Sequence, residues 1–155
     1  MNIGSYFGPE NVILDMKSDD KKGAIAELVD NLVQTGRLSD PEELIEAVVA
    51  REELCTTGLE NGVAIPHPRH GQPHLIEGLA IVFGRRKAGL DFESMDGKPT
   101  RLLFLLCAES DTVHLRSLAR LSRLLKDSAF RKRLLDAPDA GTVVEAIAES
   151  EASLE

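Results

Sequence analysis

Tryptophan is absent from this 155-residue chain, tyrosine occurs once, and aromatic residues make up only 4% of it. A core built from such a chain is mostly aliphatic, and there are too few flat rings to stack a run of exposed bases. Basic residues are the minority charge: 18 Lys and Arg against 26 Asp and Glu leave a formal net charge of −8. That balance repels a polyanion, so no nucleic-acid partner is expected. Cysteine is scarce too, with Cys55 and Cys107 alone and far apart. Two such thiols give no disulfide framework and read as free thiols in a reducing compartment, Cys107 as a small buried hydrophobe ending an apolar strand. No apolar run approaches the roughly 18 residues of a membrane span, and the N-terminus lacks the basic-then-apolar order of a secretory signal. A cytoplasmic protein with no membrane insertion is the expectation. There is no internal repeat, low-complexity tract or interdomain linker, and the length suits one domain with its own core.

What is present is strong periodicity. Val12-Ile13-Leu14 reads as a short strand. From Lys21 to about Thr35, Ala24, Ile25, Leu28, Val29 and Leu32 keep helical spacing, and Gly36 stands where a C-terminal glycine cap belongs. Asp40, Pro41 and Glu43 open a second helix, as N-cap, first-turn proline and the closing member of a capping box, with Leu44, Ile45, Val48 and Val49 on its buried face. Leu79–Phe83 and Arg101–Leu106 are nearly continuous apolar runs, the pattern of central strands covered on both faces. Asp96-Gly97 punctuates the turn between them. Three helical segments follow, at about 112–126, 128–136 and 139–149, with Pro138 parting the last two. Two early helices, several strands and three late helices predict an α/β fold: a three-layer α/β/α sandwich with a central mixed sheet, since a wholly parallel sheet would need a helix between each pair of strands.

One stretch carries chemistry. Gly62-Val63-Ala64-Ile65-Pro66-His67-Pro68 runs from a glycine through apolar residues into a histidine framed by two prolines. Proline fixes its own φ and pushes the preceding residue into extended conformations, so the imidazole ends a stiff segment, displayed rather than packed. The segment belongs at a sheet edge or at strand ends, where ligand sites collect. Such a histidine can be a nucleophile, a general base or a metal ligand. His114 lies in the first turn of the 112–126 helix, behind Asp111 as N-cap. There the helix dipole disfavours an imidazolium, leaving a neutral ring able to donate to an anion. Leu115, Leu118, Leu121, Leu124 and Leu125 form that helix's apolar face. Opposite them Arg116, Arg120, Arg123 and Lys126 form a solvated one, while six acidic and no basic residues after Leu134 read as a solubility feature. Arg51, taken alone, is a cation in the last turn of a helix, favourable with the dipole.

The order Arg51-Glu52, Thr57-Gly58, Asn61-Gly62-Val63-Ala64-Ile65-Pro66-His67 and, much later, His114-Leu115-Arg116-Ser117-Leu118-Ala119 resembles the type 2 enzyme IIA domain. This is the fructose/mannitol family of the bacterial phosphoenolpyruvate:sugar phosphotransferase system, stand-alone nitrogen-regulatory IIA proteins included. The similarity runs from the first helix to about Glu149, and implies one such domain over residues 1–155 with its core at about 10–150. It also implies that His67 is phosphorylated by the phosphocarrier HPr or a nitrogen-branch HPr-like protein, that His114 helps hold the phosphoryl group, and that Arg51 approaches it from across the pocket. The implied partners are that phosphocarrier and either a IIB protein or a regulated target protein.

Phosphoryl transfer between histidines needs a neutral nitrogen nucleophile, in-line access and compensation of charge on the phosphoryl oxygens. A pair of unit charges at 4 Å is worth roughly 4 kcal/mol at an effective dielectric near 20, so one arginine is enough to steady the phosphorylated state. A relay must also release the group, so a shallow, partly wet pocket is expected, with no cofactor and no metal in the transfer step. The absence of a fused transporter or IIB segment favours the regulatory form over a sugar-transport IIA subunit. Two other readings stay open. One is a binding module that no longer transfers phosphate, to which Cys107 would be relevant, since a proline is expected after the apolar strand. The other is a zinc-type site from His67, His70 and His74 with Cys55 or His114; against it, Pro68, Gly71 and Pro73 break the helix that would align those histidines. Otherwise His70 and His74 are exposed loop residues, and Glu60 and Asn61 shape the turn into the motif.

Overall fold

The two apolar runs pair with each other at the centre of the sheet. In the computed structural model, which describes residues 2–154, the strands are β1 (Val12–Ile13), β2 (Val63–Ala64), β3 (Leu79–Leu90) and β4 (Thr100–Ala108), in spatial order β1-β3-β4-β2. β3 and β4 are antiparallel, with Phe83 opposite Phe104. β1 runs parallel to β3 and β2 parallel to β4. The sheet is therefore mixed: the chain passes from β1 to β3 by way of two helices and β2, and from β2 to β4 by way of β3.

Side chains alternate across a strand, and here both faces are covered. Leu79, Ile81 and Phe83 of β3 and Leu102, Phe104, Leu106 and Ala108 of β4 pack under α3 (Asp111–Leu125), α4 (Ser128–Asp136) and α5 (Ala140–Ala152). Ala80, Val82, Leu103, Leu105 and Cys107 face α1 (Lys21–Gln34) and α2 (Pro41–Leu54). This is the expected three-layer α/β/α sandwich. All five phenylalanines are buried within a mostly aliphatic core.

The helix ends follow local chemistry, with two exceptions to expectation. Asp20 caps α1 by accepting from the Gly23 amide at 2.7 Å, and Gly36 ends it at φ 76°, letting Arg37 N reach Leu32 O at 2.8 Å. Asp40 caps α2, but Glu43 does not close a capping box; its carboxylate meets His74 Nε2 at 2.6 Å. The cap of α3 is Ser110, whose hydroxyl accepts from Val113 N at 3.2 Å. Asp111 is instead the first residue inside the helix, and is drawn to another partner described below.

The basic face of α3 also departs from expectation. Arg120 is not solvated: its Nε donates to Glu151 Oε2 at 3.1 Å, and the buried Glu151 carboxylate also accepts from Ile3 N at 2.8 Å and Gly4 N at 2.6 Å. Leu115 in turn is 64% exposed rather than part of the apolar face. Burial here is set by which elements overlie the helix. The short 3-10 helix Ile3–Tyr6 and the end of α5 cover the side where Arg120 points, and no described element covers Leu115. Among the described residues no helix is long and apolar enough to cross a membrane.

Candidate active site

β2 is an edge strand, and the loop leaving it carries His67. Asn61 and Gly62 both adopt left-handed conformations, φ 66° and 75°, which turns the chain tightly enough for Leu59 N to bond Val63 O at 2.7 Å. Gly62 O then accepts from both Arg101 N and Leu102 N, fixing β2 in register. Pro66 O accepts from Leu106 N at 3.1 Å, so the loop stays attached to β4 up to the histidine.

His67 is packed rather than displayed: it is only 7% exposed. The prolines stiffen the segment as expected, but they lead it inward, beneath α3. Its Nδ1 lies 2.6 Å from Ile65 O. A carbonyl oxygen can only accept, so Nδ1 carries the hydrogen and the lone pair of the neutral ring is on Nε2. Burial pushes the His67 pKa below the usual histidine value, against the Ile65 hydrogen bond; the Arg51 charge lowers it further and Glu52 raises it. The neutral form, a nucleophile, is thereby favoured at neutral pH.

His114, 4% exposed, faces it with ring centroids 5.3 Å apart and planes inclined at 51°. Its Nδ1 is buried and has no hydrogen-bond partner among the described residues. Burial, then the neighbouring His67, lowers its pKa, while Asp111 works the other way. Both rings are thus held towards neutrality, His114 by burial and its neighbour His67 rather than by the helix start invoked from the sequence. Arg51, in the last turn of α2, donates from Nη1 to Cys55 O at 2.8 Å and shares with His67 a cleft of about 160 Å³, also lined by Thr56, Thr57, Leu59, Ile65, Leu118 and Ser122. All three residues singled out in the sequence thus converge.

The loop that follows His67 is tied to the end of β4 and the start of α3. Gly71 N donates to Asp111 Oδ1 at 2.8 Å, Gln72 N to Ala108 O at 2.7 Å, and the Gly71 backbone lies flat against Ser110. This is what Asp111 does in place of capping. The metal grouping is not brought together: His70 lies 3.6 Å from Asp111, His74 pairs with Glu43, and both are exposed. Among the described residues no three His, Cys, Asp or Glu side chains are grouped to hold a metal. Cys107 points into the α1/α2 side of the core, where burial pushes its thiol pKa up to about 12.

Residues 5–150 match the family described as phosphoenolpyruvate-dependent sugar phosphotransferase system, EIIA 2. The chain belongs to this family. It is 37% identical to a nitrogen regulatory protein of Bradyrhizobium diazoefficiens, over 96% of this chain and 95% of that protein. It is 35% identical to a fructose-specific EIIA component of Haloferax volcanii, over 90% of each. A fructose-specific EIIABC component of Bacillus subtilis is 36% identical over 95% of this chain, which spans only 23% of that longer protein. Among solved structures, the nitrogen regulatory protein IIA-Ntr of Neisseria meningitidis superposes with a TM-score of 0.82 at 32% identity, covering 94% of this chain and 98% of that one. The Escherichia coli complex of enzyme IIA mannitol with phosphorylated enzyme IIB mannitol gives 0.78 at 26% identity, covering 92% and 97%.

In this EIIA chain two further residues stand behind the site. Glu52 and Thr57 were visible in the sequence only as parts of a motif. In the fold the buried Glu52 carboxylate accepts from Thr57 N at 3.0 and 2.8 Å and from Thr57 Oγ1. A glutamate in the last turn of a helix reads from sequence as a solvent-facing charge. Only the chain reversal at Cys55–Gly58 encloses it.

Proposed function

We propose that the chain is a cytosolic phosphocarrier, working as one domain, whose His67 takes a phosphoryl group from HPr or a nitrogen-branch HPr-like protein and whose phosphorylation state regulates a target protein. The observation that carries the reading is the commitment of His67 Nδ1 to Ile65 O, which leaves Nε2 as the nucleophile beside a second neutral imidazole and Arg51. In the transfer, the Nε2 lone pair attacks the phosphorus of the donor phosphohistidine. The donor P–N bond breaks, and its electron pair returns to the donor imidazole. His67 keeps its Nδ1 hydrogen and becomes a cationic ring bearing the phosphoryl group, with Ile65 O accepting from the charged side. Arg51 balances the phosphoryl oxygens and His114 donates a ring N–H to one of them.

The match to nitrogen regulatory proteins along nearly their whole length supports the regulatory role. The fructose-specific relative at 35% identity supports a second reading, a IIA subunit that passes the group to a cysteine of a IIB protein. Incubation with phosphoenolpyruvate, enzyme I and the phosphocarrier, followed by detection of acid-labile phosphate, tests the common core. Label is expected on the wild type and lost in His67→Ala; undiminished label in that variant refutes it. Offering the labelled protein to IIB proteins, and comparing the partners captured by the two phosphorylation states, separates regulator from transport subunit.

A further inference from the structure

A buried anion stands at the far end of a hydrogen-bonded chain that ends on His67. Glu52 Oε2 accepts from Thr57 N at 2.8 Å, Thr57 O accepts from Ile65 N at 3.2 Å, and Ile65 O accepts from His67 Nδ1 at 2.6 Å. Glu52 is 6% exposed and pairs with Lys21 of α1, whose Nζ lies 3.3 Å from Oε2. That ammonium is shared with Glu93 at 3.3 Å and sits 4.9 Å from the Phe92 ring centre. The links run from N–H to C=O of the same residue across its Cα, not through one conjugated peptide, so no proton travels along them. What they transmit is position, and a field from the carboxylate on the Nδ1 side of the ring.

We infer that Glu52 is a positioning residue for phosphoryl transfer, holding His67 in the Nδ1–H tautomer through Thr57 and Ile65, with Lys21 setting how much of its negative charge reaches the ring. The inference rests on His67 being the phosphorylated residue. Phosphorylation at Nε2 makes the adduct bipolar, with a positive ring and a negative phosphoryl group. Arg51 and Glu52 are adjacent in sequence but address opposite ends of that dipole: the guanidinium shares the cleft with the nucleophile, and the carboxylate holds the backbone behind it. This gives the consecutive Arg-Glu pair at the end of α2 a physical purpose. In the unphosphorylated protein the same division is felt as opposed influences on His67, Arg51 lowering and Glu52 raising its basicity.

The charged and titratable groups bearing on the site are Lys21, Arg51, Glu52, Glu93, His114 and, beyond His114, His70 and Asp111. Two variants move the field in opposite directions while conserving bulk. Glu52→Gln keeps an acceptor for Thr57 and removes the charge; Lys21→Met leaves the carboxylate uncompensated. The readout is the ring-nitrogen chemical shifts of His67 through a pH titration of the unphosphorylated protein, with the decay rate of the phosphorylated form alongside. The expected result is a lower His67 midpoint in Glu52→Gln, an increased share of the other tautomer and faster phosphate loss. Lys21→Met raises the midpoint. A folded Glu52→Gln with unchanged midpoint and tautomer overturns the inference. If that variant does not fold, an unmoved or lowered midpoint in Lys21→Met overturns it alone. A wild type that takes no label refutes the phosphocarrier reading, while the titration still decides whether Glu52 governs the ring.

Discussion

A single methyl group at Gly71 should damage stability and transfer together. An ideal Cβ there would sit 2.6, 2.7 and 2.9 Å from C, Cα and N of Ser110. These are backbone atoms at the cap of α3 and cannot rotate aside. Relief requires the His67 loop and the start of α3 to separate by several tenths of an ångström, and the 2.8 Å bond from Gly71 N to Asp111 lies across that gap. Overpacking of this kind costs about 1–3 kcal/mol and the weakened hydrogen bond about 1 more. For a chain of this size the sum corresponds to a fall in melting temperature of roughly 5–15 °C. Because the same contact ties the loop that carries His67 to the start of the helix that carries His114, phosphoryl acceptance should drop as well, even well below the new melting point. Gly36→Ala is the control: φ is 76° and no atom lies within 4 Å of the added carbon, so it meets backbone strain of about 1 kcal/mol and leaves transfer untouched. Gly71→Ala that melts with the wild type and accepts phosphate at the wild-type rate refutes the lock, as does an equal loss of transfer in Gly36→Ala.

The two site histidines predict a pH dependence with a definite sign. Burial is the leading cause that holds both below their ordinary value of 6.5, so the unfolded chain binds more protons than the fold just below that pH. Their contribution to stability is full above pH 6.5 and is lost as pH falls through the folded values, at up to about 1.4 kcal/mol per pH unit for each histidine. Urea titrations at stepped pH should show this slope, diminished in His114→Gln. Phosphoryl acceptance should likewise persist to lower pH than for a free imidazole. A thiol reagent should modify Cys55, which is exposed, and spare Cys107, buried with its pKa near 12; one thiol should titrate in the native protein and two in denaturant. Arg85 is buried and donates to the carbonyls of Leu14, Leu134, Leu135 and Ala137, tying α4 to the sheet. Arg85→Met should destabilise by at least about 3 kcal/mol in denaturant titrations, with transfer preserved in the folded fraction.

Helix positions were legible because the core face of each repeats at helical spacing and the caps are local. Asp20, Asp40 and Gly36 act on amides and carbonyls within a few residues. The same locality misled at Ser110-Asp111, where two good cap residues stand side by side and the choice depends on Gly71, 40 residues away in the chain. Leu115 and Arg120 depart from the exposure that the periodicity of α3 implies for a related reason: periodicity gives a face, and the neighbouring elements decide what covers it. His67 stands out locally because prolines frame it and His114 because it opens a helix, whereas Arg51, alone an ordinary last-turn cation, is marked only by the resemblance to the family motif. Glu52 and Thr57 have none, since their importance comes from enclosure.

The order of residues by itself determined the layer architecture, the mixed sheet and the family, because apolar periodicity, chain connectivity and the Asn-Gly-Val-Ala-Ile-Pro-His stretch are properties of neighbours along the chain. Tertiary structure alone decided that His67 lies buried with Nδ1 committed to Ile65, that Gly71 and Asp111 lock its loop to α3, and that a glutamate in the last turn of α2 faces inward. Each of these needs segments that approach only when the sheet has formed. Tautomer and basicity respond to burial and to charges in space, which the order of residues does not contain.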